Sequence, residues 1–183
     1  MQEHRSAEEL TAALDEIRKS PATTGTVELI VRRPAENERE VLTEGVLDLE
    51  QGLVGDMWKA RGSSRTPDRS ANLDAQLTLM NARAARAIAG SKERRQLAGD
   101  QLFVDLDLSV ENLPAGTRLA VGDAVIEVTP EPHTGCAKFS ARFGTDALKF
   151  VNKSPGRELR LRGVNTRVVT PGTVRAGDAI SKF

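Results

Sequence analysis

The chain has 183 residues, of which 39% are hydrophobic and 28% charged, with 26 Lys plus Arg balanced by 26 Asp plus Glu. That describes one globular domain with a sizeable core, and the zero balance argues against a nucleic-acid protein held by bulk charge. One cysteine makes no internal disulfide, one cysteine and two histidines fall short of a closed zinc site, and no stretch approaches the ~18 apolar residues of a membrane span. Met1 to Ser20 has no signal-peptide apolar run, so the expectation is a soluble cytoplasmic protein with no nucleic-acid or membrane partner and an open oligomeric state.

Ser6-Ala7-Glu8-Glu9 reads as a capping box. Ala7, Leu10, Leu14 and Ile17 follow at helical spacing, which predicts an amphipathic helix over roughly 7–19, ended by Pro21 and Gly25. Thr26 to Arg33 and Arg39 to Leu47 are strand candidates around the turn Pro34 to Asn37. Gly52 to Asn72 is a Gly/Ser-rich loop with little periodicity, a type of segment that is often functional. Gln76 to Ala89 returns to helical spacing through Leu77, Met80, Ala84 and Ile88, with Gly90 as its stop. Leu102 to Leu106, Arg118 to Val121, Ala124 to Val128 and Leu159 to Val169 read as strands, with Gly122-Asp123 as a tight hairpin turn. Thr145 to Val151 is a helix candidate with Thr145 as N-cap. Many short strands, few helices and Gly-Asp turns predict a mainly β fold, a closed or partly closed barrel with attached helices (α+β). The chain reads as a single domain over 1–183, with a helix-and-hairpin extension over 1–44 and the barrel over 45–183.

Several short segments, in order, resemble one family. They are Gly52-Leu53-Val54-Gly55-Asp56, Gln76 to Asn81, Glu111-Asn112-Leu113-Pro114 with Gly116 to Gly122, and Pro132-His133-Thr134-Gly135-Cys136-Ala137-Lys138-Phe139. Arg142-Phe143-Gly144, Leu161 to Val168 and Gly172 to Asp178 complete the set. Together they resemble the MOSC domain, named after the C-terminal part of molybdenum-cofactor sulfurase. The resemblance implies a β-barrel and a cysteine, Cys136, that either carries a persulfide sulfur or ligates the metal. It implies the molybdenum cofactor (molybdopterin), a sulfur donor or molybdoenzyme as partner, and activity of the sulfurtransferase or molybdenum-dependent reductase type. No pyridoxal phosphate is expected, because that step belongs to a separate desulfurase domain. One stretch departs from the family. Asp56 is followed by Met57-Trp58-Lys59, and Arg61-Gly62-Ser63-Ser64-Arg65 stands where many members carry histidines that help hold the cofactor.

The residues themselves add to this reading. The thiolate is the nucleophilic, metal-binding form of cysteine, and it suits a sulfur-rich metal centre. Cys136 follows a Pro/Gly-containing stretch, so a loop position is expected. His133 is the candidate proton carrier beside it, and Lys138 and Arg142 are the candidate cations near it in sequence. The competing reading makes Cys136 a small buried hydrophobe. Arg61, Ser63, Ser64 and Arg65 suit a phosphate or other oxyanion. Asn112, Arg162 and Arg167 complete the candidate cofactor contacts, although Asn112 also suits a turn bond. Arg162 and Arg167 face opposite sides of a regular strand, so only one of them can point inward. Trp58 either stacks on a heterocycle or anchors its loop to the core. Two alternatives to the cofactor reading stay open: a non-catalytic barrel that binds or senses a small oxyanion, and a redox thiol protein.

Overall fold

The computed structural model describes residues 4–183, so Met1 to Glu3, the start of the 1–44 segment, lie outside the described residues. The capping box forms: Glu9 N–H donates to Ser6 Oγ at 3.3 Å and Ser6 N–H to the Glu9 carboxylate at 2.8 Å. The helix it starts is broken at Ala13 into α1 (Ala7–Ala12) and α2 (Leu14–Arg18), and Leu10, Leu14 and Ile17 bury one face across the break. β1 (Thr24–Arg32) follows. The second strand candidate splits in two, because β2 (Glu40–Leu42) pairs back onto β1 whereas β3 (Glu44–Asp48) turns away to pair with β4 (Gly52–Leu53). A short helix, α3 (Trp58–Arg61), lies in the Gly/Ser-rich loop, and Trp58 is only 3% exposed, which is the anchoring role.

The expected helix over 76–89 is half strand. β5 (Leu77–Asn81) runs directly into α4 (Ala82–Ala89), whose N-cap is the Asn81 side chain accepting from Ala84 N–H at 2.9 Å. All five residues of β5 are buried, and a short apolar run buried on both faces carries no period-2 signal to separate it from helix. β6 (Leu102–Asp105), β7 (Arg118–Val121) and β8 (Ala124–Val128) match their expected positions, the last two joined through Gly122 at φ 53°. Two helices follow, α5 (Ala137–Phe143), which the sequence reading missed, and α6 (Thr145–Asn152). Gly144, not Thr145, occupies the N-cap of α6, and Thr145 is already helical. β9 (Val164–Thr170), β10 (Gly172–Arg175) and β11 (Ala179–Lys182) close the chain.

Seven strands form a closed barrel in the order β1, β6, β5, β9, β8, β7, β11 and back to β1. The β5–β6 pair is parallel and crossed over by α4, while the remaining barrel pairs are antiparallel. β3, β4 and β10 make a small second sheet. β1, within the segment read as an extension, is therefore a barrel stave.

Side-chain alternation builds two cores. Ile30, Leu77, Leu79, Leu102 and Val104 fill the barrel together with Leu119, Ile126 and Val164. Val31, Met80 and Phe103, one residue out of phase, point outward beneath Leu10, Ile88, Phe139 and Phe143 of the helices. Each fully buried Leu or Phe contributes about 1.5–3 kcal/mol by leaving water. The outer core seats α5 and α6 against the barrel, and the segment leading into α5 carries the site.

Candidate functional site

The segment from Thr129 to Cys136 leaves β8 without regular structure, and two asparagines pin it. Asn165, on β9 and 2% exposed, donates from Nδ2 to the carbonyls of Glu131 at 3.0 Å and Pro132 at 3.2 Å. Asn152, at the end of α6, grips both sides of Gly135. The Gly135 N–H donates to Asn152 Oδ1 at 2.8 Å, and Asn152 Nδ2 donates to the Gly135 carbonyl at 3.0 Å. A Cβ at 135 would lie 2.8 Å from Leu148 Cδ1 and 3.0 Å from Val151 Cγ2, so a side chain there would have to displace both. The chain then presents Cys136 exposed at the N-cap of α5, which excludes the buried-hydrophobe reading. Phe139 and Phe143, with ring centroids 5.0 Å apart, hold α5 to the outer core.

Cys136 lines a cleft of about 130 Å³ whose walls are dominated by arginine. The cause is a run of four consecutive carbonyls at the end of a 3-10 turn, Arg95–Ala98, closed by Gly99 at φ 91°. Arg39 Nε donates to Gln96 O at 3.2 Å, Arg142 Nη1 to Leu97 O at 2.9 Å, Arg162 Nη2 to Ala98 O at 3.0 Å and Arg33 Nη1 to Gly99 O at 3.1 Å. Carbonyls left open at a turn end take cation donors readily, and here they gather four guanidinium groups from three distant segments.

Two of these guanidiniums have carboxylate partners. Asp56 of the Gly-Leu-Val-Gly-Asp segment, its side chain fully buried, accepts from Arg33 Nη2 at 2.7 Å, Arg33 Nε at 2.9 Å and the Trp58 N–H at 3.1 Å. Burial pushes the Asp56 pKa up, but these donors and the Arg33 charge outweigh it and leave the group below the usual carboxylate range. Asp100, also fully buried, accepts from Arg162 Nη1 at 2.5 Å and faces His133 Nε2 at 2.9 Å. Its burial is likewise outweighed, by Arg162 first and then by His133, and its pKa is lowered. The ionised Asp100 is acceptor-only, so His133 carries its proton on Nε2. Burial and the Arg162 charge lower the His133 pKa, which keeps the ring neutral.

The other cleft guanidiniums lack such partners. Arg39 bonds only carbonyls, and Arg142 a carbonyl and the Asn37 amide oxygen. The Arg61 guanidinium makes no hydrogen bond or ion pair among the described residues. Burial, then the Arg142 and Arg33 charges, lower the Arg39 pKa; partial desolvation at the cleft rim and Arg33 lower that of Arg61. Arg162 keeps a buried Nε–H with no acceptor. Lys138 lines the cleft and pairs with Glu36 at 2.9 Å across an exposed gap. The cleft therefore holds three guanidinium charges beyond its carboxylates, beside the one thiol.

The structure brings Cys136, Lys138, Arg61 and Arg162 to this cleft. Ser63 and Ser64 line an open depression of about 400 Å³ with Arg69, which adjoins the cleft through Arg61. His133 lies on the far side of the cysteine segment and reaches the cleft only through Asp100 and Arg162. Arg65 pairs with Glu131. Arg167 is exposed on the barrel exterior, bonded to Glu127 at 2.7 Å, so Arg162 is the inward member of that pair. Arg162 precedes β9, however, so strand alternation was not the reason. Asn112 spends its amide on the Ala22 and Asp107 carbonyls at 2.8 and 2.7 Å, the turn role. Arg142, expected near Cys136 from its place in the sequence, lines the cleft with it, whereas Arg33, Arg39, Asp100 and Asn152 were not picked out by sequence. The one available signal was the Arg/Asn density of 32–39, in a segment read as a plain hairpin.

The MOSC domain family model matches residues 66–181, more than half of the chain. Among solved structures, YuaD from Bacillus subtilis is 17% identical over 86% of this chain and 94% of its own, with a TM-score of 0.59. YiiM from Escherichia coli is 19% identical over 86% of this chain and 69% of its own, with a TM-score of 0.55. YiiM from Geobacillus stearothermophilus is 13% identical over 88% and 73%, with a TM-score of 0.54. At these identities the likeness concerns the fold. No curated protein sequence matches the chain. No helix among the described residues is long and apolar enough to cross a membrane.

Proposed function

The chain belongs to the MOSC domain family, and from that premise we propose that its cysteine cleft binds the molybdenum cofactor, with the Cys136 sulfur as metal ligand or persulfide carrier. The observation that carries the proposal is the charge imbalance. Arg39, Arg61 and Arg142 face one thiol with no carboxylate to neutralise them, an arrangement that repels itself until an anion enters.

The residues fit an anionic, already chelated metal better than a bare ion. Among the described residues no group of three or more His, Cys, Asp or Glu side chains is placed to hold a metal, and the surrounding charge repels a free cation. A metal already held by sulfur ligands of its own needs one soft protein ligand and anion contacts. Cys136 supplies the first. Arg39, Arg61, Arg142 and the unsatisfied Nε–H of Arg162 supply the second. The depression at Ser63, Ser64 and Arg69 adjoins through Arg61 and suits the phosphate end of a pterin, in place of the family's histidines. When bound, the group supplies a redox-active metal centre able to exchange sulfur. The chain's own residues orient it, neutralise its charge and, through Asn152 and Asn165, hold the cysteine segment still.

The test is purification from cells that make the cofactor, with molybdenum, pterin and protein persulfide measured on wild type and Cys136→Ala. Bound molybdenum and pterin, or persulfide, that disappears in Cys136→Ala supports the proposal. Absence of all three from wild type contradicts it.

The small size of the cleft favours a second reading, in which this barrel binds a small oxyanion without the cofactor. Thermal shift by mass action separates the two. Stabilisation by molybdate or sulfate alone, with no pterin retained in cells, would favour the oxyanion reading.

A further inference from the structure

Behind the cysteine segment lies a second cleft, of about 260 Å³, which shares Arg162 with the first but does not include Cys136. Pro130, Pro132, Val151 and Val164 give it an apolar body, and polar side chains, among them His133, Arg157 and Arg160, stand around it. That combination suits a small organic ligand fixed by a few directional contacts.

Three of those polar groups define the ligand. His133 forms part of the wall with Nε2 fixed on Asp100, and its Nδ1 has no hydrogen-bond partner among the described residues. Since the proton sits on Nε2, Nδ1 offers a lone pair and asks for a donor. Arg157 reaches the cleft in a loose pair with Glu158, 3.5 Å apart and with both side chains more than half exposed, so it is free to turn to an anion. Arg160 places a second guanidinium in the wall, bonded to the carbonyls of Leu113 at 2.6 Å and Leu108 at 3.4 Å and to no carboxylate. Glu131, the one acid in the lining, is engaged by Arg65. The cleft thus joins an apolar body to excess positive charge and presents one directed acceptor.

The ring's position is built in. Gly163, at φ 118°, leaves no room for a side chain, because a Cβ would lie 2.4 Å from Leu79 O and 3.0 Å from both Asp100 Oδ1 and His133 Cδ2. Backbone, carboxylate and ring are packed around that glycine, so Nδ1 is held in a fixed direction.

We propose that this rear cleft is a separate binding site for a small organic acid that carries both a carboxylate and a hydrogen-bond donor. The carboxylate meets Arg157 and the donor meets His133 Nδ1, while the ligand body lies between the prolines and valines. The site does not depend on the cofactor reading. It is joined to the cysteine cleft through the Asp100–Arg162 pair and through Asn152, which lines it and holds Gly135.

The test uses the full chain and 4-hydroxybenzoate as probe, with benzoate as the analogue that lacks the donor. There are two histidines, so the His133 imidazole signals of protein labelled with nitrogen-15 at histidine can be assigned with a His4→Gln variant. The expected result is a saturable Nδ1 shift with 4-hydroxybenzoate, about tenfold weaker affinity for benzoate and for Arg157→Ala, and unchanged binding in Cys136→Ala. Arg157 is exposed, so its removal spares the fold. No saturable shift up to about 10 mM, or identical titrations in wild type and Arg157→Ala, would overturn the proposal. Unchanged binding in Cys136→Ala also separates this result from any failure of the cofactor reading.

Discussion

Replacing Asp100 by Asn tests whether the arginine cleft rests on its buried carboxylates. Asp100 is fully buried, and its two oxygens serve Arg162 Nη1 at 2.5 Å and His133 Nε2 at 2.9 Å. Arg162 is itself about nine-tenths buried, with a second bond to Ala98 O and its guanidinium 5.0 Å from the Phe139 ring centroid. The amide keeps the shape, removes the charge and leaves Arg162 uncompensated. Breaking a buried pair from one side costs about 3–5 kcal/mol. For a chain of this length each kcal/mol moves Tm by about 2–4 °C, so a fall of about 10 °C is expected. Urea denaturation should show a lower midpoint with an unchanged slope. The double variant Asp100→Leu/Arg162→Met removes both charges and should recover much of the loss, because the penalty comes from the orphaned partner rather than from the absent pair. A cost below about 1 kcal/mol for Asp100→Asn would refute the reasoning.

Other outcomes follow from the same geometry. Gly163→Ala forces a Cβ against Leu79 O at a positive φ and should cost about 2–3 kcal/mol by thermal melt, more than the same change at exposed Gly116, where nothing lies within 4 Å. Asn152→Ala removes both bonds to Gly135 and should cost about 1–3 kcal/mol, with a changed rate of Cys136 alkylation measured by mass spectrometry. Arg61→Gln removes a charge with no partner, so apo stability should stay within about 0.5 kcal/mol of wild type while the Tm rise given by molybdate shrinks. The His133 pKa is lowered in the folded state, so below the ordinary histidine pKa of about 6.5 the unfolded chain binds the extra proton first. Stability should therefore fall as pH drops below that value toward the folded-state pKa, and His133→Gln should flatten that part of the stability–pH curve.

The sequence displayed the parts of the fold that rest on local rules. Ser6 and Glu9 announce their own cap, and the alternation around Gly122-Asp123 gives β7 and β8 at their observed positions. It concealed parts that tertiary burial decides. Leu77 to Asn81 is covered on both faces, by the barrel core and by the outer helices, so it lost the alternation that marks a strand and was absorbed into the helix that follows it. The site divides the same way. Cys136 was legible because the short segments around it resemble a family, Arg61 because arginine in a Ser/Gly-rich loop suits an oxyanion, and Arg162 only as one of two arginines of which one could point inward. Arg142 was legible as a cation close in sequence to Cys136, but Arg33 and Arg39 were not, because what gathers them is a string of backbone carbonyls from 96 to 99, and carbonyls leave no mark on a sequence. Asp100 reaches Arg162 across 62 residues and His133 across 33, and Asn152 reaches Gly135 across 17, separations that no motif records.

The most direct test of the account concerns the three guanidiniums without carboxylates. Wild type, Cys136→Ala and the triple variant Arg39→Gln/Arg61→Gln/Arg142→Gln would be purified from the same cofactor-producing cells, and bound molybdenum and pterin measured per chain, with folding checked by thermal melt. The account predicts cofactor on wild type and its loss from the folded triple variant, in which Cys136 is intact. Equal molybdenum and pterin on wild type and the triple variant would contradict it.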